Sequence, residues 1–189
     1  MKARIDNVWK QVTPELADEL VAFWKDNKAI DDSARARDRA QQAVCTLRDD
    51  SGALVGVATA MVRVLPRLRQ PAYYYRIFLT PEARGRGQEA FLPMVRQSKQ
   101  ILHEYNKGLK QPESLGLLFE LENGKLGKAY PHAYEPIFEA TFIGYSPRGM
   151  QLRVSYFPDA MLQAPARIAA RRGTGRNASQ PTPAQQQSG

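Results

Sequence analysis

Tyr73-Tyr74-Tyr75-Arg76-Ile77-Phe78-Leu79-Thr80-Pro81-Glu82-Ala83-Arg84-Gly85-Arg86-Gly87-Gln88-Glu89-Ala90 is the stretch from which the rest of the chain can be read. Its first half is an aromatic and β-branched run, which favours a strand. The run breaks at Thr80-Pro81 and passes through Arg-Gly-Arg-Gly, and from Gln88 to Lys107 the sequence reads as a helix. A strand, a glycine-rich turn and a helix in that order gather several backbone N–H groups and the positive end of a helix around one point, which suits a phosphate. An ordinary strand-to-helix turn that needs glycine for its φ angles is the plainer reading of the same residues.

Around this stretch, 189 residues suit one domain with a flexible extension. The apolar share of 43%, with 8 Tyr, 7 Phe and 2 Trp, is enough for a real core. A single cysteine, Cys45, excludes an intramolecular disulfide and a four-cysteine zinc site, and with only His103 and His132 beside it a metal centre is not expected. The first residues lack the apolar core of a signal peptide and no run approaches the length of a membrane span, so a soluble, cytoplasmic protein without a membrane partner is expected. The net charge of +8, from 27 Lys and Arg against 19 Asp and Glu, attracts polyanions such as nucleic acid, a phosphorylated cofactor or acidic protein. Basicity for solubility alone explains the same charge.

Upstream, Ala3 to Val12 alternates loosely and fits an opening strand. Thr13-Pro14-Glu15 is a helix start, with Leu16, Leu20, Val21 and Trp24 at helical spacing behind it. Asp31-Asp32-Ser33 caps a short helix through Arg39 whose arginines make it a solvated face or a flap over a site. Ala43 to Arg48 and Ala53 to Val64 are strands joined by the Asp49–Gly52 hairpin, with Gly56 a candidate bulge. Downstream, Leu115 to Leu121 is a buried strand, Tyr134 to Phe142 reads as a helix behind Pro131, and Met150 to Phe157 alternates as a last strand. The Arg-, Gln-, Ser- and Pro-rich end reads as a basic, disordered tail over 161–189, following a domain over 1–160.

This order of elements resembles the GNAT superfamily of acyl-CoA N-acyltransferases over roughly residues 3–157. The family's pattern at the pivot is Arg or Gln, two residues, Gly, one residue, then Gly or Ala. Arg84, Gly87 and the spacing match; Glu89 stands at the last position, with Ala90 one place later. The small residue lets the helix start approach a pyrophosphate, and a carboxylate there adds repulsion. The resemblance implies an α/β (α+β) fold, a mixed, mostly antiparallel sheet splayed between its fourth and fifth strands and flanked by helices. It places the pantetheine arm of acetyl-CoA in the gap, bonded by the main chain of Phe78 and Leu79. The N–H groups of Arg84, Gly85, Arg86, Gly87 and Gln88 would hold the pyrophosphate, and Asn123 resembles a family asparagine that contacts the cofactor. The Arg84 and Arg86 side chains add charge-assisted contacts, or are solvated arginines on a turn.

Acyl transfer from a thioester needs a neutral amine, a donor to the oxyanion and a proton for the leaving thiolate. In this family a carboxylate or a water chain on the fourth or fifth strand often takes the amine proton, and a tyrosine on the following helix often protonates the sulfur. Here the fourth strand has no carboxylate. The fifth has Glu120 and Glu122, two apart and so on one face, either a catalytic pair or solvated strand-end glutamates. Glu120, deeper in the apolar run, is favoured as base. For the acid, Tyr134 and Tyr130 are the candidates, because counting back from Gly144-Tyr145 to the family's usual position reaches Ala140. His132 reads as a surface residue and Cys45 as core packing.

The preferred expectation is an acetyl-CoA-dependent N-acetyltransferase acting on a primary amine. The acceptor amine would be carried on a polyanion such as aminoacyl-tRNA or modified DNA, or be a protein lysine; polyamines fit a positive field poorly. A non-catalytic GNAT-fold binding module is the alternative, and a basic nucleic-acid-binding protein a third. A homodimer is an assembly the resemblance allows.

Overall fold

A computed structural model of the chain describes residues 4–122 and 124–165, with the backbone alone at 124 and 125. Its opening strand, β1 (Arg4–Asn7), is shorter than the alternation over Ala3–Val12 suggests. Helix α1 (Pro14–Asp26) begins where Thr13 Oγ1 accepts the Leu16 N–H at 3.2 Å, with Pro14 in the first turn. Helix α2 (Ser33–Ala40) begins on Asp32, whose carboxylate accepts the Arg35 N–H at 2.9 Å. The hairpin of β2 (Ala43–Arg48) and β3 (Leu54–Val64) turns on Asp49, whose carboxylate accepts the N–H groups of Ser51 and Ala53. The register between the two strands shifts beside Gly56, from Leu47↔Gly56 to Arg48↔Leu54, so Val55 is the extra residue of a bulge.

Strand β4 (Pro71–Leu79) carries the tyrosines. The turn after it is more structured than its glycines suggest. Thr80 caps a one-turn helix, α3 (Pro81–Gly85), and Gly87, at φ 61°, breaks it so that α4 (Gln88–Lys107) sets off in a new direction. Strand β5 (Gly116–Glu120) follows, then a short helix, α5 (Gly124–Ala129), that the sequence reading does not contain. The segment read as a helix over 134–142 is instead a two-residue strand, β6 (Tyr134–Glu135), a turn, and β7 (Ala140–Tyr145), which pairs with β8 (Gln151–Tyr156). Pro136 removes a helix donor and Glu139 turns at φ 50°. The run Thr141-Phe142-Ile143 then finds partners on the edge of β8.

The eight strands form one sheet in the order β1-β2-β3-β4-β5-β8-β7-β6, antiparallel except where β4 and β5 run parallel. Alternation along the strands gives the sheet two apolar faces. Tyr73, Tyr75, Leu79, Leu117 and Phe119 face Met94, Val95 and Leu102 of α4. Val57 and Phe78 face Ala17, Leu20, Phe23 and Trp24 of α1 and Ala36 and Ala40 of α2. Each large side chain fully buried in this way contributes about 1.5–3 kcal/mol. Gly116 lets β5 and β8 approach, because a Cβ there would lie 2.2 Å from the Ser155 carbonyl oxygen.

The parallel pairing is short. Tyr73, Tyr74 and Tyr75 pair with Leu117, Leu118 and Phe119, and there it stops, although β4 continues to Leu79 and stays paired with β3 throughout. The sheet therefore opens beyond Tyr75 and Phe119. After β8 the chain over 161–165 has no regular secondary structure, and the Gln163 backbone and the Gln70 side chain exchange two hydrogen bonds of 2.9 Å. Residues 166–189, most of the expected tail, lie outside the described residues. Among the described residues no helix is long and apolar enough to cross a membrane.

Candidate functional site

The opening between β4 and β5 is a cleft of about 540 Å³, walled by β4 from Tyr75 to Leu79, by Arg84, Gly87, Gln88 and Phe91, and by β5 with Leu126, Tyr130 and Phe138. Which backbone groups serve it follows from strand alternation. The Pro71 carbonyl bonds Leu115 beside β5, whereas the Thr80 N–H bonds Val55 beside β3. With an unbroken register against β3, Ile77 and Leu79 turn their main chain toward the opening and Phe78 turns its own toward β3. The phenyl ring of Phe78 still lines the cleft.

At one end of the cleft α4 starts without a side-chain cap, so its positive dipole end is presented beside Gly87 and Gln88. The N–H groups of Arg84, Arg86 and Gly87, expected as phosphate donors, are instead donated to the carbonyls of Thr80, Ala83 and Arg84. Arg84 lines the same end, its guanidinium 5.9 Å from the Phe78 ring centre. Gly85 and Arg86 are not part of the lining, and Arg86 lies near enough to Asp49 to feel its charge. Glu89 is exposed and off the cleft, its N–H donated to the Arg86 carbonyl, while Ala90 packs into the core. The departure from the family pattern thus puts its carboxylate outside the lining.

At the other end Glu120 lines the wall with a side chain only 9% exposed. Its carboxylate accepts the Tyr74 hydroxyl at 2.5 Å and Arg148 Nε at 3.2 Å, with an Arg148 terminal nitrogen at 2.9 Å. Burial raises the carboxyl pKa and is the largest single effect. Hydrogen bonds from Arg148, Tyr74 and Ser146 together outweigh it and hold the group at about 2. Glu122 lies at the rim, its carboxylate 3.5 Å from the same Arg148. The two glutamates therefore converge on one arginine. Tyr130 is in the wall, edge-on to Phe138 with ring centres 5.0 Å apart, and its carbonyl accepts the buried Arg153 guanidinium at 2.7 Å. Tyr134 is half exposed on β6 and outside the lining. Asn123 lies outside the described residues.

Four groups have no place in the sequence reading of the site: Ile77 and Arg76, which line the cleft, and Tyr74 and Arg148, which hydrogen-bond Glu120 from outside the lining. The alternation of β4 signals that Tyr74 and Arg76 share a face, but nothing local to residues 73–79 says that this face meets Glu120. Among the described residues no group of three or more His, Cys, Asp or Glu side chains is arranged to hold a metal ion.

Neither a protein-family model nor a curated protein matches the chain. Among solved structures it is similar to a chain from Corynebacterium glutamicum ATCC 13032 described as histone acetyltransferase HPA2 and related acetyltransferase, with a TM-score of 0.50 and 17% identity over 87% of this chain and 100% of that one. GNAT-family acetyltransferases from Streptococcus pneumoniae (TM-score 0.46, 12% identity, 80% and 97% of the two chains) and Listeria monocytogenes 4b F2365 (0.45, 15%, 82% and 95%) are also similar. At these identities the likeness concerns the fold.

Proposed function

From a chain that has the GNAT acetyltransferase fold, we propose an N-acetyltransferase that moves the acetyl group of acetyl-CoA to a primary amine. The observation that carries this reading is the build of the cleft, with an uncapped helix start and an arginine at one end and a buried carboxylate at the other. The residues present fit the cofactor. The Leu79 and Ile77 main chains suit the pantetheine amides, and the positive start of α4 at Gln88, with the Arg84 guanidinium, suits the pyrophosphate. The bound thioester supplies the activated acetyl group.

The chain's own residues handle the proton. Glu120 held at about 2 is a poor base while Arg148 and Tyr74 both donate to it. Arg148 is 60% exposed, so an incoming ammonium can take its place. With Arg148 displaced, burial, the largest effect on Glu120, raises its affinity for a proton at the moment the amine must lose one. Glu122 at the rim adds the negative potential that draws the ammonium in. For protonation of the leaving thiolate, Tyr130 is the group we assign, since it is in the wall and Tyr134 is not. An acceptor amine carried on a nucleic acid or on a protein lysine lies within this reading.

Thermal denaturation with and without acetyl-CoA, followed by thiol-release assays over a panel of amines, tests it. Saturation at a hundredfold excess over Kd should add about 2.7 kcal/mol of stability. Stabilisation without release from any amine would establish a non-catalytic binding module. No stabilisation would remove the cofactor reading.

A further inference from the structure

Acyl transfer gives no task to the arginines on the wall beside Tyr74. Arg76 is half-buried and lines the cleft, with its guanidinium 4.8 Å from the centre of the Tyr74 ring. Its Nε is buried without a hydrogen-bond partner, and one terminal nitrogen reaches only the Met61 sulfur, at 3.6 Å. Arg63 approaches the same ring at 5.0 Å. From α2, which covers this face of the sheet, Arg39 and Arg35 join the group; Arg39 is half-buried. Burial first, and then the charges of Arg76 and Arg35, bring the Arg39 guanidinium down to about 10. Burial likewise lowers Arg76, with Arg63 and Arg35 adding to it.

Among the described residues, none of Arg35, Arg39, Arg63 and Arg76 is in an ion pair, whereas Arg37 pairs with Asp18, Arg48 with Glu19 and Arg148 with Glu120. Arg39 and Arg76 are half-buried and Arg35 and Arg63 exposed. The charge of Glu122 at the rim offsets their mutual repulsion only in part, since burial and the arginine charges still lower Arg39 and Arg76. Half-buried cations without a direct ion pair are costly unless something anionic joins them. Arginine is also the side chain whose planar fork matches carboxylate and phosphate oxygens two at a time.

We propose that Arg76 and Arg39, with Arg63 and Arg35 at the rim, form a subsite for an oxyanion, a carboxylate or a phosphate, that the acceptor carries a few bonds from its amine. The inference rests on the acceptor reading of Glu120. Tyr74 sets the spacing, because its hydroxyl meets Glu120 and its ring face meets Arg76. An ammonium at Glu120 and an oxyanion at Arg76 are thus about one tyrosine ring apart, the span of an amino acid or a short aminoalkyl phosphate. A polyamine would meet the arginines with a second positive charge and be repelled.

The test is calorimetric binding to protein saturated with CoA, which occupies its own phosphate site first. One arm compares an α-amino acid with its decarboxylated amine, and the other compares an aminoalkyl phosphate with the matching amino alcohol; the stronger arm tells carboxylate from phosphate. The expected result is at least tenfold tighter binding of the acid-bearing member in one arm. Arg76→Gln should abolish that preference and Arg39→Gln weaken it several-fold, with CoA stabilisation unchanged as evidence of folding. If Arg76→Gln does not fold, Arg39→Gln carries the comparison. No preference in either arm, or one that survives these substitutions, overturns the proposal. Failure of CoA itself to bind would count against the enzyme reading alone. The oxyanion subsite would then be read from stabilisation by inorganic phosphate in Arg84→Gln protein, expected to vanish on adding Arg76→Gln and overturning the proposal if it does not.

Discussion

Tyr74→Phe removes one hydroxyl and nothing else, and it isolates the hydrogen bond that keeps Glu120 acidic. The donor distance is 2.5 Å, the acceptor is a carboxylate with only 9% of its side chain exposed, and burial pushes Tyr74 itself up to about 12, so it stays protonated at any assay pH. A hydrogen bond to a charged group contributes about 1.5–3 kcal/mol. At about 1.4 kcal/mol per pKa unit, its loss should raise Glu120 by about one to two units from its starting point near 2. Because the folded value lies below the ordinary one of 4.5, the stabilisation from Glu120 is complete above 4.5 and is lost as the pH falls toward 2. The substitution should therefore narrow that window from its acid side and lower stability at neutral pH. Carbon-detected NMR titration of the glutamate carboxyls, with urea unfolding at pH 3 and pH 7, reads both effects. A Glu120 titration unmoved by Tyr74→Phe would refute the argument, since Arg148 and Ser146 alone would then outweigh burial.

Arg148→Gln should act on the same carboxylate through an exposed partner, raising the Glu120 pKa as well, and its effect on stability should shrink in high salt. A salt-independent loss of stability would contradict that. Gly116→Ala drives a methyl group into the Ser155 carbonyl of the neighbouring strand and should cost about 3 kcal/mol or more in urea unfolding, because neither backbone can yield. Asp32→Ala should cost about 1 kcal/mol by uncapping α2, and it should also weaken the oxyanion preference by loosening Arg35 and Arg39, an effect measured in the same calorimetric comparison. Cys45 is fully buried and its thiol is pushed up to about 11 by burial, so native protein should not react with Ellman's reagent below pH 9. A reactive thiol in the folded state would show that the core around Ser98 opens.

Much of the scaffold is legible without coordinates because its signals are local. Gln88–Lys107 is bounded by Gly87 and Gly108, and its apolar stripe from Phe91 through Tyr105 gives the whole helix. Thr13 and Asp32 announce α1 and α2 by a side-chain oxygen placed to accept an N–H three residues on. The misreading over 134–142 has the opposite cause. Tyr134, Phe138 and Phe142 fall at helical spacing, but the pairing partners that make Thr141, Phe142, Gly144 and Tyr145 a strand lie across a turn on β8, from Gln151 to Val154. Helix α5, with two glycines in six residues, has too little intrinsic preference to be seen in sequence.

For the site, the chain itself specifies the phosphate-binding end, since a strand, a glycine and a helix start are neighbours in sequence and their backbone groups are neighbours in space. The acceptor end could not be specified in this way. Arg39, Arg76, Tyr74, Glu120 and Arg148 come from α2, β4, β5 and the β7–β8 turn, and their meeting depends on the parallel register of Tyr74 with Leu118 and on the strands parting just beyond it. Composition and periodicity act over one or two turns of chain. The potential and hydrogen bonding at Glu120 are summed over residues from Tyr74 to Arg148, and only packing brings those groups together.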